Sequence, residues 1–210
     1  MEGLRIILAS ASPRRSELLK MMGLEFDVIV SNQEEDYTSI HPDMIVRELA
    51  LRKAQHVASF LMEQALVIGA DTTVVVNQQI LEKPKDEDEA FQMIHTLQNN
   101  WHQVYTGVAL VKWEDRTQYK NCFEKVSFSD FAESECLQIK TFAVETKVYV
   151  NEMSDEEIRE YIKTGESFDK AGAYGIQGGF AKYIKKIEGD FYNVMGLPVA
   201  RLYQEMKKLS

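Results

Sequence analysis

With 210 residues, 45% of them hydrophobic and 27% charged, the chain has the composition of one α/β domain or of two small lobes sharing a sheet. A formal net charge of -9 disfavours a nucleic-acid polymer as the main partner, yet a small anion held by a few local cations remains compatible with it. Two cysteines, Cys122 and Cys136, and four scattered histidines show no zinc-ligand spacing, and no apolar run reaches membrane-spanning length, so a cytoplasmic protein with reduced thiols and no membrane contact is expected.

Residues 4–8 read as a short buried strand and Ala-Ser-Ala-Ser at 9–12 as a tight turn. Ser12 then suits an N-cap and Pro13 the first helical position, with Leu18, Leu19 and Met22 facing inward before Gly23 stops the helix. Arg14 and Arg15 fall in the first turn, the end at which the helix dipole opposes cations. They are at home if a phosphate sits among them; two solvated arginines are the alternative. Residues 26–30 read as a second strand, followed by an acidic loop at 31–36 that is either solvated or suited to oxygen ligation of a metal. His-Pro-Asp at 41–43 opens a helix expected to reach about residue 64, with Val46, Ala50, Val57 and Leu61 on its apolar stripe. Lys53 lies on that same stripe, so its ammonium either snorkels to solvent or aims at an anion in a cleft.

Residues 66–76 read Leu-Val-Ile-Gly-Ala-Asp-Thr-Thr-Val-Val-Val, an apolar run broken by one acid, as in a buried strand pair or a kinked strand. Asp71 is costly there unless a cation or hydrogen-bond donor meets it, although an acid closing a turn at a strand end would also account for it. Gly69 and Ala70 lack bulk, which lets a ligand approach the backbone. A turn at 77–78 and a returning strand at 80–81 lead to Glu-Lys-Pro at 82–84. Asp86 to Glu89 resembles a capping box before a helix ending near Leu97, and 104–113 reads as a strand. Residues 114–140 have no clean period and read as a hairpin excursion or surface insertion. A strand at 141–150 and a capping box of Ser154 with Glu157 follow. Four of the eleven glycines then fall within 169–179, in neither the dinucleotide nor the P-loop pattern, which implies backbone pressed against something or several positive φ angles. Residues 180–187 read as a strand, 189–190 as a turn, and Pro198 as the start of a final helix. Strands alternate with helices throughout, so the class is α/β with a mixed sheet.

Five segments stand in one order along nearly the whole chain: Leu-Ala-Ser-Ala-Ser-Pro-Arg-Arg at 8–15, Gly-Ala-Asp-Thr at 69–72, Glu-Lys-Pro at 82–84, Asp-Lys-Ala-Gly-Ala-Tyr-Gly-Ile-Gln-Gly at 169–178, and Gly-Asp-Phe-Tyr-Asn-Val-Met-Gly-Leu-Pro at 189–198. Together they resemble the Maf family of nucleoside triphosphate pyrophosphatases, the septum formation proteins. The resemblance implies one domain over 1–210 of two lobes around an elongated mixed β-sheet, inosine triphosphate pyrophosphatase-like, with an insertion at 114–140 and the active site between the lobes. It implies hydrolysis of a nucleoside triphosphate to the monophosphate and pyrophosphate with Mg²⁺ or Mn²⁺, and a homodimer. The Ala-Gly-Ala-Tyr-Gly-Ile-Gln-Gly loop is similar to that of the branch acting on dTTP, UTP and some modified pyrimidine nucleotides. A nucleotide-binding regulator of cell division, without turnover, is the alternative.

Carried over by position, Asp71 matches the proton acceptor, with Lys53 and Lys83 beside it as catalytic cations. Arg14, Thr72 and Gln177 match positions tied to substrate choice, and Ser10 and Arg15 further substrate contacts. Glu34 and Asp71 match carboxylates for the metal, so Asp71 serves as base, as metal ligand or as both. The chemistry agrees with the anomalies in the residues: cations at Arg14, Arg15, Lys53 and Lys83 would neutralise a triphosphate, and Gln177 offers both a donor and an acceptor to a pyrimidine edge.

Overall fold

The computed structural model describes residues 4–33, 36–113, 133–134 and 137–209. Its strands are β1 (Arg5–Leu8), β2 (Asp27–Val28), β3 (Ala65–Val76), β4 (Gln79–Leu81), β5 (Trp101–Trp113), β6 (Glu133–Ser134), β7 (Leu137–Val150) and β8 (Ile184–Glu188). They form one mixed sheet in the order β2-β1-β3-β5-β7-β6, with β4 pairing with β3 and β8 with β7. The helices are α1 (Pro13–Met21), α2 (Pro42–Ala58), α3 (Glu87–Leu97), α4 (Asp155–Lys163), α5 (Phe191–Met195) and α6 (Val199–Lys208). The α/β class with a mixed sheet is as the sequence implied.

Side chains alternate across the sheet and give it two apolar faces. Ile7, Ala9, Ala65, Val67, Ala109 and Val111 lie on one face, against Ala50, Ala54 and Val57 of α2. Ile6, Leu8, Leu66, Ile68, Val108 and Leu110 lie on the other, with apolar residues of α1, α3, α4 and α6. The result is three layers, with α2 alone covering the first face among the described residues.

The run at 66–76 is one unbroken strand, not a strand pair. It stays continuous because β5 runs antiparallel beside it from Leu66 to Val75. Its other edge is broken. There β1 pairs in parallel with residues 65–68 and β4 in antiparallel with 74–76. Residues 69–73 therefore border a gap in the sheet, and the chain leaving β1 at Ala9 turns away beside it. The chain runs from β1 through α1 to β2 on one side of it, then through α2 to β3 on the other. That makes the carboxyl end of β1 a topological switch point, where open α/β sheets leave a crevice for ligands.

Gly69 serves a different neighbour from the ligand expected there. A Cβ on Gly69 would sit 2.1 Å from the carbonyl oxygen of Ala50, so it is helix α2 that presses on this backbone. Gly107, opposite Asp71 in the register, meets the carbonyl of Val46 in the same way.

Several boundaries differ from the sequence expectation. Helix α2 stops at Ala58 rather than near 64, because the chain must reverse within six residues to enter β3, and Phe60 and Met62 are exposed there. The second strand keeps only two residues of 26–30. Strand β5 begins three residues earlier than expected and β7 four, so 137–140 belongs to the sheet. The rest of the expected insertion, save β6, lies outside the described residues. Gly179–Tyr183 is a 3₁₀ turn, which leaves Ile184–Glu188 as the strand. Ser12 occupies the N-cap position of α1 but its side chain makes no capping bond, whereas Asp86 and Ser154 cap their helices as expected. Among the described residues no helix is long and apolar enough to cross a membrane.

Candidate active site

A cleft of about 610 Å³ opens at the gap in the sheet. Its walls are the turn after β1, the first residues of α1, the inner face of α2, the middle of β3, residues 80–83, the glycine-rich loop and residues 194–196. Ser10, Arg14, Arg15, Lys53, Asp71, Thr72, Lys83 and Gln177 all line it. Glu34 lies outside the described residues.

Asp71 has the same parity as Ala65, Val67 and Gly69 on β3, so it points to the α2 side of the sheet. The two glycines of β3 and β5, with Ala50 and Ala54 on the helix, let α2 lie close. Lys53 then reaches down from α2, and its Nζ donates to Asp71 Oδ1 at 2.6 Å. Both side chains are mostly buried, at 16% and 13% exposure. A charged pair held this deep forgoes part of its hydration, which a purely structural role does not need.

Thr72 has the opposite parity and faces α1. Arg15 turns inward there and spends its guanidinium on the protein: Nε donates to Gly196 O at 2.9 Å, Nη1 to Ser10 Oγ at 2.9 Å and Nη2 to Thr72 Oγ1 at 3.0 Å. Arg15 thus ties the turn after β1 to β3 and to the turn after α5. Thr72 Oγ1 meets Thr106 Oγ1 of β5 at 2.9 Å, and Thr106 donates to the carbonyl of Asn193 at 2.9 Å. The Asn193 amide donates to Val104 O and Thr146 Oγ1, anchoring α5 under the site.

Arg14 stands at the mouth instead. Its Nη1 donates to Asp169 Oδ2 at 3.1 Å, linking α1 to the glycine-rich loop. Burial raises the Asp169 carboxyl, but the hydrogen bond from Lys170 and the charges of Arg14 and Lys170 outweigh it and hold the group below the usual carboxylate value. The loop itself winds through Ala171–Ala173 with Gly172 at φ +68, pressed on Val74 so closely that a Cβ would meet it at 3.0 Å. Tyr174 anchors the loop from inside: its hydroxyl is hydrogen-bonded to Nε2 of buried His102 at 2.7 Å. Burial pushes His102 down to about 4, so this partner is neutral at neutral pH. The anchoring leaves Gln177 exposed at the cleft, which Lys83 also lines.

The loop before α2 is fixed by Glu48, a buried acid on that helix. It accepts hydrogen bonds from the backbone N–H groups of Thr38 and Ser39 and from the Ser39 hydroxyl. Burial pulls its carboxyl up, and these donors bring it below its ordinary value. The bonds hold Tyr37 at the cleft wall.

For a metal, the described residues contain no cluster of three His, Cys, Asp or Glu side chains. The acidic residues Asp71, Glu82 and Asp169 do line the cleft. That hard-oxygen donor set fits Mg²⁺ or Mn²⁺, ions that take one or two carboxylates and complete their shell with phosphate oxygens and water.

The family profile described as Maf-like protein matches residues 5–209. The chain belongs to the Maf family. Its Maf relatives include the dTTP/UTP pyrophosphatase of Thermoanaerobacter sp. (strain X514), 48% identical over 98% of this chain and 96% of that protein. Proteins of the same name from Agathobacter rectalis and Lachnoclostridium phytofermentans are 44% and 43% identical, covering 98% and 97% of this chain and 97% and 94% of theirs. Among solved structures, a nucleoside-triphosphatase (dITP/XTP pyrophosphatase) from Mycobacterium abscessus aligns with a TM-score of 0.37 and 11% identity over 71% of this chain and 76% of that one.

Each described residue singled out as a site candidate thus lines one cleft. Sequence reasoning missed Thr106, Asn193, Asp169, His102 and Glu48. Asn193 and Asp169 lay within quoted motifs, which was the available signal; Thr106 and His102 needed partners far away in the chain, and Glu48 needed the fold of the loop before its own helix.

Proposed function

We propose that this chain hydrolyses dTTP and UTP to the monophosphate and pyrophosphate, acting in the cytoplasm as a house-cleaning enzyme on pyrimidine nucleotides. One observation carries the reading: the Lys53–Asp71 pair, 2.6 Å apart, lies in a cleft that Arg14, Lys83 and Gln177 also line. The names of Maf relatives at 43–48% identity support the choice of substrate.

The triphosphate lies among Arg14, Lys53 and Lys83, which offset its charge. Asp71 takes the proton from a water that attacks the α-phosphorus. The new bond joins the water oxygen to that phosphorus, the bond from it to the α–β bridging oxygen breaks, and pyrophosphate leaves with its added charge met by Lys53 and Lys83. Asp71, with Glu34 as second carboxylate, would hold a divalent cation, which would supply charge neutralisation to the phosphate oxygens. Arg15 keeps Ser10 and Thr72 in place, and Gln177 and Thr72 meet the base.

A regulator that binds without turnover would have no use for an acid buried against a lysine at the bottom of the cleft. The test is product analysis with purified protein, Mg²⁺ or Mn²⁺, and dTTP, UTP, CTP or 7-methyl-GTP. Pyrophosphate is expected from dTTP and UTP. Orthophosphate as the sole inorganic product would exclude cleavage between the α- and β-phosphates.

A further inference from the structure

We infer that Thr106, a residue out of reach of any ligand, sets the hydrogen-bond polarity of Thr72 and so makes the cleft select pyrimidines that carry an N3–H. The inference rests on the reading of Thr72 as a contact to the base given above.

A threonine hydroxyl has one proton to donate and two lone pairs. Thr106 Oγ1 lies 2.9 Å from the carbonyl oxygen of Asn193, which has no proton to give, so the single Thr106 proton is spent there. The 2.9 Å contact between Thr106 and Thr72 must then be carried by the Thr72 proton. Arg15 Nη2, which only donates, occupies one Thr72 lone pair at 3.0 Å. One lone pair is all that Thr72 Oγ1 retains.

The chain of donors runs one way, from Arg15 to Thr72 to Thr106 to the Asn193 carbonyl, and nothing along it is loose. Thr106 is 0% exposed, so solvent does not offer its hydroxyl another partner. Asn193 is equally buried and held through its amide by Val104 and Thr146. The carbonyl at the end of the chain also accepts from the Gly196 N–H. Reversing the direction would leave a buried carbonyl facing a buried oxygen with no proton between them, which is costly.

A Thr72 hydroxyl with fixed polarity can receive a hydrogen bond from a base but cannot give one. Thymine and uracil present a donor at N3. Cytosine presents a bare acceptor at that atom, so its lone pair would face the Thr72 lone pair. Sites built on one buried polar group reject the wrong partner strongly because the mismatch leaves both groups unpaired. Thr106 is then a positioning residue for specificity, and the Asn193 carbonyl is the reason that α5 sits beneath it.

The experiment compares kcat/KM for UTP and CTP in the wild type, Thr106→Val and Thr106→Ser, and adds N3-methyl-UTP, which removes the N3–H and keeps both carbonyls. In Thr106→Val the Thr72 proton loses its acceptor and becomes available to cytosine. The UTP-to-CTP preference is expected to fall by about 10-fold or more. Thr106→Ser keeps the hydroxyl and should restore it. A merely structural role would lower both substrates together and leave the ratio alone. On the wild type, N3-methyl-UTP should be poorer than UTP by about 10-fold or more, an arm that can overturn the inference even if Thr106→Val does not fold. An unchanged ratio in folded Thr106→Val, or equal use of UTP and N3-methyl-UTP, overturns the inference while the pyrophosphatase reading stands. Absence of UTP turnover in the wild type overturns both.

Discussion

Asp71→Asn lowers kcat by about 10³-fold with nucleotide binding retained, because the amide keeps the shape of the carboxylate but accepts no proton from the attacking water. The substitution is mild for the fold. The carboxamide oxygen still accepts from Lys53 Nζ, which donates to Oδ1 at 2.6 Å in the native protein, so α2 stays tied to β3. Single-turnover kinetics with dTTP, alongside a binding titration, separate the two effects. Retained affinity with lost chemistry is the signature of a group acting on the transition state. Native kcat in Asp71→Asn would remove the residue from the reaction. If Asp71 also holds the metal, the variant requires more Mg²⁺ or Mn²⁺ for its residual rate, and a metal titration reads that directly.

The second large effect is on stability. Gly107→Ala places a methyl group 2.2 Å from the carbonyl oxygen and 2.3 Å from the carbonyl carbon of Val46, and 2.6 Å from the Arg47 nitrogen. All three are backbone atoms of α2, so no side chain can rotate aside and the helix itself must lift from the sheet. Overpacking of this kind costs roughly 3 kcal/mol or more, against a total stability on the order of 5–15 kcal/mol. At about 2–4 °C per kcal/mol for a chain of this size, the melting midpoint should fall by about 10 °C. The same lift carries Lys53 away from Asp71, so turnover falls even below the melting range. A variant that melts within about 2 °C of the native protein would show that the helix does not depend on this close approach.

That dependence marks the limit of what the sequence reveals. Asp71 was conspicuous as an acid in an apolar strand, and Lys53 as a cation on an apolar helix stripe. Each was anomalous alone, and each is the other's explanation at 2.6 Å. Gly69 was legible as a place of close approach, but not which neighbour approaches; the answer is α2. Arg14 and Arg15 were indistinguishable as two cations in one helical turn, yet Arg14 faces the mouth and Asp169 while Arg15 turns into the protein and holds Ser10, Thr72 and Gly196. A one-residue step on a helix turns the side chain by about 100°, and only the packing of α1 decides which direction is inward. Helix α5 has five residues, too few for a period to show. Thr106 and His102 look ordinary in the sequence because their function lies in partners 34 to 87 residues away. The capping residues Asp86 and Ser154 were readable, since their partners lie three residues on.

The central claim is that these dispersed cations and acids converge on one polyphosphate. The most direct measurement is a crystal structure with α,β-imido-dUTP, whose α–β bridge resists hydrolysis. The account predicts the triphosphate among Arg14, Lys53 and Lys83, the α-phosphorus within one water of Asp71, and the base between Thr72 and Gln177. A nucleotide seated elsewhere, with those six side chains untouched, would contradict it.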